Sequence, residues 1–200
     1  MAMVPLTLQT ALTKIFLDMN SITEDGDGYK ATEMAKALKA FTLTGQVSTT
    51  DTGAAPAGTY TGAGVGAMTI DADVLADDLL TTFTAGYTND GLADHIATDI
   101  DNACSEDDIV KILSAGTVVI PAGGTSPFSG PGEGKFKGNK STIASLLKAC
   151  FTTMNGMPVG GNEFYAAQLA LAYHAYLAAG QISVTLKLPF VSGAGSGGIA

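Results

Sequence analysis

Two histidines, two cysteines and nineteen carboxylates are the side chains of this 200-residue chain with the types that acid–base, thiol or metal chemistry requires. His95 has Asp94 and Asp99 beside it at helical spacing, yet no third ligand or nucleophile accompanies it. His174 lies in an alanine-rich stretch and reads as a packed or hydrogen-bonded side chain rather than a catalytic one. Cys104 and Cys150 sit in helix-like segments, and two cysteines make no disulfide framework. Buried free thiols are expected, with a bridge between them as the alternative. Glu24-Asp25-Gly26-Asp27-Gly28 has the look of a calcium loop. Counted from Asp25, however, the twelfth position is Lys36, where a bidentate glutamate is needed. Gly138-Asn139-Lys140-Ser141 evokes a phosphate loop, but Asn139 interrupts the required Gly-Lys-Ser order. Gly193-x-Gly195-x-x-Gly198 matches a dinucleotide fingerprint in form only, because neither a helix nor an acidic residue follows before Ala200. No Gly-x-Ser-x-Gly or paired catalytic carboxylates occur. The expectation is therefore no catalytic residue, no cofactor, no metal site and no enzyme.

The strongest pattern is a glycine motif that occurs three times. Gly62-Ala63-Gly64-Val65-Gly66 is followed by Gly130-Pro131-Gly132-Glu133-Gly134 and by Gly193-Ala194-Gly195-Ser196-Gly197. Each copy follows aromatic or hydroxyl residues: Tyr60-Thr61, Phe128-Ser129, and Phe190 with Ser192. The repeat extends beyond the glycines. Lys30–Ser48 aligns with Tyr165–Ser183 without a gap, matching Ala31, Ala35, Ala37, Ala40, Gly45, Gln46 and Ser48 to Ala166, Ala170, Ala172, Ala175, Gly180, Gln181 and Ser183. Phe16 precedes Gly45 by the same interval at which Phe151 precedes Gly180, whereas Phe83 to Gly116 is longer. Such self-similarity predicts a repeat architecture.

The elements needed to position these residues follow the hydrophobic spacing. Leu8, Leu12, Ile15, Phe16 and Met19 predict a first helix, with Thr7 as its cap, and Lys30–Phe41 a second. Thr42–Thr50 reads as a strand, Ala54–Gly62 as a loop containing Pro56, and Gly64–Ile70 as a glycine-weakened strand. In the middle, Asp71 or Asp73 caps a helix carrying Val74, Leu75, Leu79 and Phe83. A second helix carries Leu92, Ile96 and Ile100. There Ile109–Leu113 reads as a further short turn and Thr117–Ile120 as a short strand ending at Pro121. Gly123–Gly134 reads as a long loop and Lys135–Lys137 as another strand. Finally, Ser141 caps a helix over Thr142–Met154. A second helix over Asn162–Ala179 is apolar nearly all round, as in buried helices, and Gln181–Val191 alternates as a half-buried strand. The fold class expected is α+β: three tandem helix-helix-strand-strand units around a pseudo-threefold axis, sharing one core. The units span residues 1–70, 71–140 (divergent, with an insertion) and 141–200 (with a C-terminal glycine-rich arm). Units of this size bury too little surface to stand alone.

Composition excludes other classes. The net charge of −9 and pI of about 4.4 oppose the basic footprint of a nucleic-acid binder. Lys135, Lys137, Lys140 and Lys148 form the single basic cluster and read as a solvated face, or as a contact with an acidic neighbouring subunit. No apolar run reaches 18 residues, so no membrane partner is expected. The N-terminus lacks a basic region, so no signal peptide is expected. Alternating glycines clear one face of an extended run and permit another backbone to approach closely. Gly62, Gly64, Gly66, Gly130, Gly132, Gly134, Gly193, Gly195 and Gly197 are accordingly read as assembly elements, the last three forming an exchangeable arm.

The succession of helix, polar loop, helix, Thr/Val strand, Thr/Ala/Gly/Pro loop and Gly-x-Gly-x-Gly run resembles small virion structural proteins of tailed bacteriophages. These are often about one such unit long and assemble into rings or lattices. Leu8–Ile70 carries one full unit, and the repeat extends the resemblance along the chain. The resemblance implies a capsid, neck or tail component, assembled in the host cytoplasm and partnered by copies of itself and other virion proteins. A non-viral filament or surface-layer subunit is the competing class, and a small-ligand enzyme the third.

Overall fold

The computed structural model describes residues 3–55, 58–120, 123–188 and 191–200; Pro56, Pro121 and Phe190, singled out above, lie outside the described residues. Helix α1 (Pro5–Asp18) begins at a proline, whose fixed φ suits the first helical position. It buries Leu8, Leu12, Ile15 and Phe16 and leads through a short turn, Met19–Ser21, towards α2 (Gly26–Thr42). Strands β1 (Val47–Ala55) and β2 (Gly58–Met68) follow. Asp71 caps α3 (Ala72–Thr84), its carboxylate accepting from the N–H groups of Asp73 at 2.9 Å and Val74 at 3.3 Å. Thr88 caps α4 (Asn89–Cys104), and β3 (Val110–Ile120) and β4 (Gly124–Lys137) follow. Asn139 caps α5 (Lys140–Met154) by accepting from Ser141 N–H at 3.1 Å. The chain continues as α6 (Gly161–Ala179), β5 (Gln181–Leu188) and β6 (Val191–Ile199).

The helices pack in chain order, α1 to α6, and α6 returns to α1, so they close a ring. The strands close as well: each pairs antiparallel with its sequence neighbours, and β6 pairs with β1. Following the register from Val47 through Gly66, Ile112, Gly132, Leu186 and Gly193 returns to β1 at Gly53, six residues further along. Six strands spaced about 4.8 Å apart, with that stagger, wrap a barrel only roughly 5–6 Å in backbone radius.

So narrow a barrel has no room for side chains from every strand. Val47, Thr49 and Asp51 of β1, Ile112 and Ser114 of β3, and Ile182, Val184 and Leu186 of β5 are buried. The intervening strands supply the glycines. A Cβ at Gly64 would sit 2.3 Å from Ile112 Cδ1, and one at Gly195 would sit 1.9 Å from Asp51 Oδ1. At the end of the barrel facing the helices, Val47, Met68, Val110, Phe136, Ile182 and Ile199 join one hydrophobic core with the inner faces of the helical ring. There the Phe136 and Tyr176 rings meet edge to face at 5.3 Å. Helix α6, apolar nearly all round, buries Tyr165, Ala166, Leu169, Ala170, Ala172, Tyr173, Tyr176 and Leu177.

The expected fold class needs correction. The strands do not form the β-layers of three separate α+β units; all six belong to one closed antiparallel barrel, and the helices form their own ring. The element order read for the middle segment is also different. Ile109–Leu113 is not a helical turn and Gly123–Gly134 is not a loop: the long strands β3 and β4 run through both. Likewise β1 and β2 occupy all described residues of the loop expected at Ala54–Gly62. Glycine and proline, which normally punctuate strands, are here wall residues required by the small radius. Thr7 and Ser141, expected as caps, lie inside α1 and α5, because Pro5 and Asn139 start those helices earlier.

Candidate functional site

The polar centre of the molecule is inside the barrel. Asp51 is fully buried, with Ser114 and Tyr60 also at 0% exposure and Thr49 at 5%. Thr49 Oγ1 donates to Asp51 Oδ1 at 2.7 Å, and Ser114 Oγ donates to Asp51 Oδ2. Tyr60 OH and Ser114 Oγ share a further hydrogen bond of 2.8 Å. The alternation of β1 brings this about: Val47, Thr49 and Asp51 point inward while Ser48, Thr50 and Thr52 face solvent. No lysine pairs with Asp51 among the described residues. A buried carboxylate survives without a cation only when hydroxyl or amide donors replace its hydration, which Thr49 and Ser114 do. The cluster ties β1 to β3, strands that are not neighbours in the barrel. It has no histidine and no solvent-facing nucleophile, so its chemistry is that of a clamp.

The sequence contained one signal for this cluster, a lone acid in an uncharged strand at an inward position of a period-two pattern. That position becomes inward only once the register of the barrel is known.

The nine glycines singled out in the sequence are brought together as three stretches of barrel wall. At Gly66, Gly134 and Gly197 a Cβ would lie 1.9, 2.0 and 1.8 Å from the carbonyl oxygens of Lys111, Ser183 and Ser48. The close backbone approach expected of them is therefore made within the chain. At Gly62 a Cβ would meet Tyr60 OH at 2.4 Å, at Gly130 and Gly132 it would meet leucine and isoleucine side chains, and at Gly193 the Thr52 carbonyl at 2.4 Å.

The other residues considered for chemistry are scattered. His95 stacks on Tyr87 with ring centroids 3.9 Å apart, and His174 meets the edge of Phe41 at 6.3 Å. Asp99 accepts from Thr82 Oγ1 at 2.7 Å, and burial raises its carboxyl above the ordinary range. Cys104 and Cys150 are free and buried. Burial pushes their thiols up to about 12 and about 11, so both are protonated and unreactive near neutrality. The Asp25 carboxylate lies over Gly28 at the start of α2, and no group of three potential metal ligands converges among the described residues. Among the described residues no helix is long and apolar enough to cross a membrane.

The outer wall of the barrel is the second notable surface. Val65, Leu113 and Val119 are 50%, 61% and 49% exposed. Val65 is the register partner of Leu113, which in turn faces Pro131, giving an apolar row across β2, β3 and β4. Exposed Ala63, Ala67 and Ala115 flank it. Wall charges lie to one side and are largely paired: Glu133 with Lys111 at 3.8 Å and with Lys187, and Lys135 with Asp107. The helical layer is different. The segment 71–108 holds eleven of the nineteen acids and no lysine.

No family model, curated protein or solved structure matches this chain.

Proposed function

We propose that the protein is a structural, non-enzymatic building block that assembles with copies of itself and with other virion proteins of a tailed bacteriophage. The observation that carries this reading is the exposed Val65–Leu113–Pro131 row on an otherwise small-residue wall. Contiguous exposed apolar surface on a folded chain marks an interaction site. The closed polar clamp at Asp51 and the protonated, buried thiols support a structural role over a catalytic one. The nine wall glycines serve assembly in this reading by keeping the wall narrow and regular. The viral setting rests on the resemblance described above, and the host cytoplasm is the proposed place of assembly.

Sedimentation analysis with negative-stain electron microscopy tests the proposal. Rings, lattices or decoration of phage particles are expected, and Leu113→Asp should abolish them while leaving the far-ultraviolet circular dichroism unchanged. A chain that stays monomeric at all concentrations and fails to decorate particles overturns the reading. Helical filaments without particle decoration favour the non-viral filament subunit instead.

A further inference from the structure

Helices α2 and α3 pack side by side, and along part of their seam the lining residues Ala31 and Ala76 are too small to fill the space between the two backbones. The result is a groove of about 500 Å³. Ile22 and Leu80, both half-buried, join the alanines as its floor, and Ala76 and Leu80 pack on the core beneath. The rim is acidic. Glu24 and Asp25 stand just before α2 and Asp77 stands on α3, all three exposed. The backbone holds one of them in place. Asp25 has a φ of 55°, in the left-handed region, and its carboxylate lies over Gly28, where a Cβ would collide with it. That carboxylate makes no capping hydrogen bond to the helix it overhangs.

Among the described residues none of these three carboxylates is paired with a lysine, whereas the fourth acid of the groove, Glu33, is held by Lys36 at 2.7 Å. Lys30 does not line the groove. Its amine lies 3.9 Å from the centroid of the Phe83 ring, where desolvation lowers its pKa from the ordinary lysine value. Like charges on the rim repel one another, and the apolar floor between them is left to water. A ligand that carries cations around an apolar group relieves both at once.

We propose that this groove docks a basic amphipathic segment of a partner protein, with a leucine-sized side chain on the floor and lysine or arginine side chains against Glu24, Asp25 and Asp77. An amphipathic segment laid into an apolar groove is a recurring mode of recognition, and the charge of the rim selects the occupant. A purely cationic ligand leaves the floor wet, and a purely apolar one leaves the carboxylates unpaired. A second copy of this chain is a poor occupant, because it has no arginine and its own helical layer carries the same sign of charge. The groove belongs to the helical layer and not to the barrel wall, so it stands or falls independently of the assembly proposal.

The test titrates the full chain into a fluorophore-labelled peptide, Lys-Leu-Leu-Lys-Lys-Leu-Leu-Lys, and follows anisotropy at low salt. Replacing the peptide leucines by serine should weaken binding about tenfold, from the apolar area lost. Glu24→Gln combined with Asp77→Asn should weaken it about fivefold, the scale of two exposed ion pairs. Asp90→Asn combined with Glu106→Gln removes the same charge from exposed positions outside the groove and should leave the affinity within about twofold of the parent. All four acids are exposed, so both double variants should keep the parent circular dichroism. Leu113→Asp, which alters the barrel wall, should bind the peptide as the parent does. Failure of the parent to bind overturns the proposal, as does equal affinity for the serine peptide. So does equal weakening by the two double variants, or loss of the peptide in Leu113→Asp, which would place it on the wall.

Discussion

Gly195→Ala places a methyl group where the barrel has no space. Its Cβ would lie 1.9 Å from Asp51 Oδ1 and 2.8 Å from Val184 Cγ2. Valine can shift slightly, but the carboxylate is held by Thr49 and Ser114. Overpacking a filled core costs about 1–3 kcal/mol. Displacing the carboxylate weakens at least one hydrogen bond to a charged group, worth about 1.5–3 kcal/mol. The combined loss is roughly 3–5 kcal/mol, which for a chain of this length lowers the melting temperature by about 6–20 °C. Gly198→Ala is the control on the same strand. The nearest heavy atom to its added Cβ is Gly180 O at 3.8 Å, an ordinary contact, so a change within about 0.5 kcal/mol is expected. Urea denaturation followed by circular dichroism measures both. Pairing Gly195→Ala with Asp51→Ser should give a cost well below the sum of the singles, because both act on one contact. Equal effects of Gly195→Ala and Gly198→Ala, or strict additivity with Asp51→Ser, would refute the account of the glycines as lumen spacers.

Three further outcomes follow from the same geometry. Lys30 has a folded pKa below its unfolded value, so the unfolded chain binds more protons between that lowered value and about 10.5. The wild type should accordingly gain stability relative to Lys30→Met as pH rises through that window; a difference independent of pH removes the desolvation argument. Cys104 and Cys150 should resist a disulfide exchange reagent at mildly alkaline pH in the native protein and both react after denaturation, and stoichiometric labelling of the native chain contradicts their placement. Deleting Ser192–Ala200 removes β6, which pairs with both β1 and β5. Loss of the native near-ultraviolet circular dichroism is expected, and a truncated chain with native stability contradicts the closure of the barrel.

The helices were largely legible in the sequence because each buries one side, and the spacing of Leu8, Leu12, Ile15 and Phe16 or of Leu75 and Leu79 announces that side. The strands were legible only where a bulky residue alternates with a polar one, as along Ile182, Val184 and Leu186. Through the middle of β2, β4 and β6 the inward residues are glycines, with large side chains such as Tyr60, Met68, Phe136 and Ile199 only towards the strand ends, so alternation produces little hydrophobic signal. Pro127 and Pro131 on β4 argue further against a strand, although both are exposed and sit opposite Thr117 and Leu113 in the ladder. Local propensity loses there to tertiary geometry: at its glycine-lined middle levels a barrel of this radius takes side chains from β1, β3 and β5, and glycine faces them from β2, β4 and β6. The same geometry hid the Asp51 cluster, whose partner Ser114 lies on β3 in a stretch read in part as a helical turn.

Closure also decides how this chain can meet another. Strand addition between chains requires an edge with free N–H and C=O groups. Among the described residues every strand has a neighbour on both sides over part of its length, the Gly124–Pro131 half of β4 pairs with β3 alone, and the last strand, read from sequence as an exchangeable arm, is held by β1 and β5 of its own chain. To donate β6 to a second copy, the chain must first break those two ladders and expose Asp51 and the lumen residues it contacts. Association through the intact fold must instead use side chains on the outside or the short β4 edge at Gly124–Pro131, which pairs with β3 alone among the described residues. The acidic helical segment 71–108 disfavours contact with its own copy. The Val65–Leu113–Pro131 row faces no such penalty, because the charges nearest to it, Lys111 and Glu133, are paired with each other. A charge placed in that row should therefore disrupt assembly at any salt concentration, whereas adding salt to the unmodified chain should strengthen assembly by screening the repulsion between helical layers.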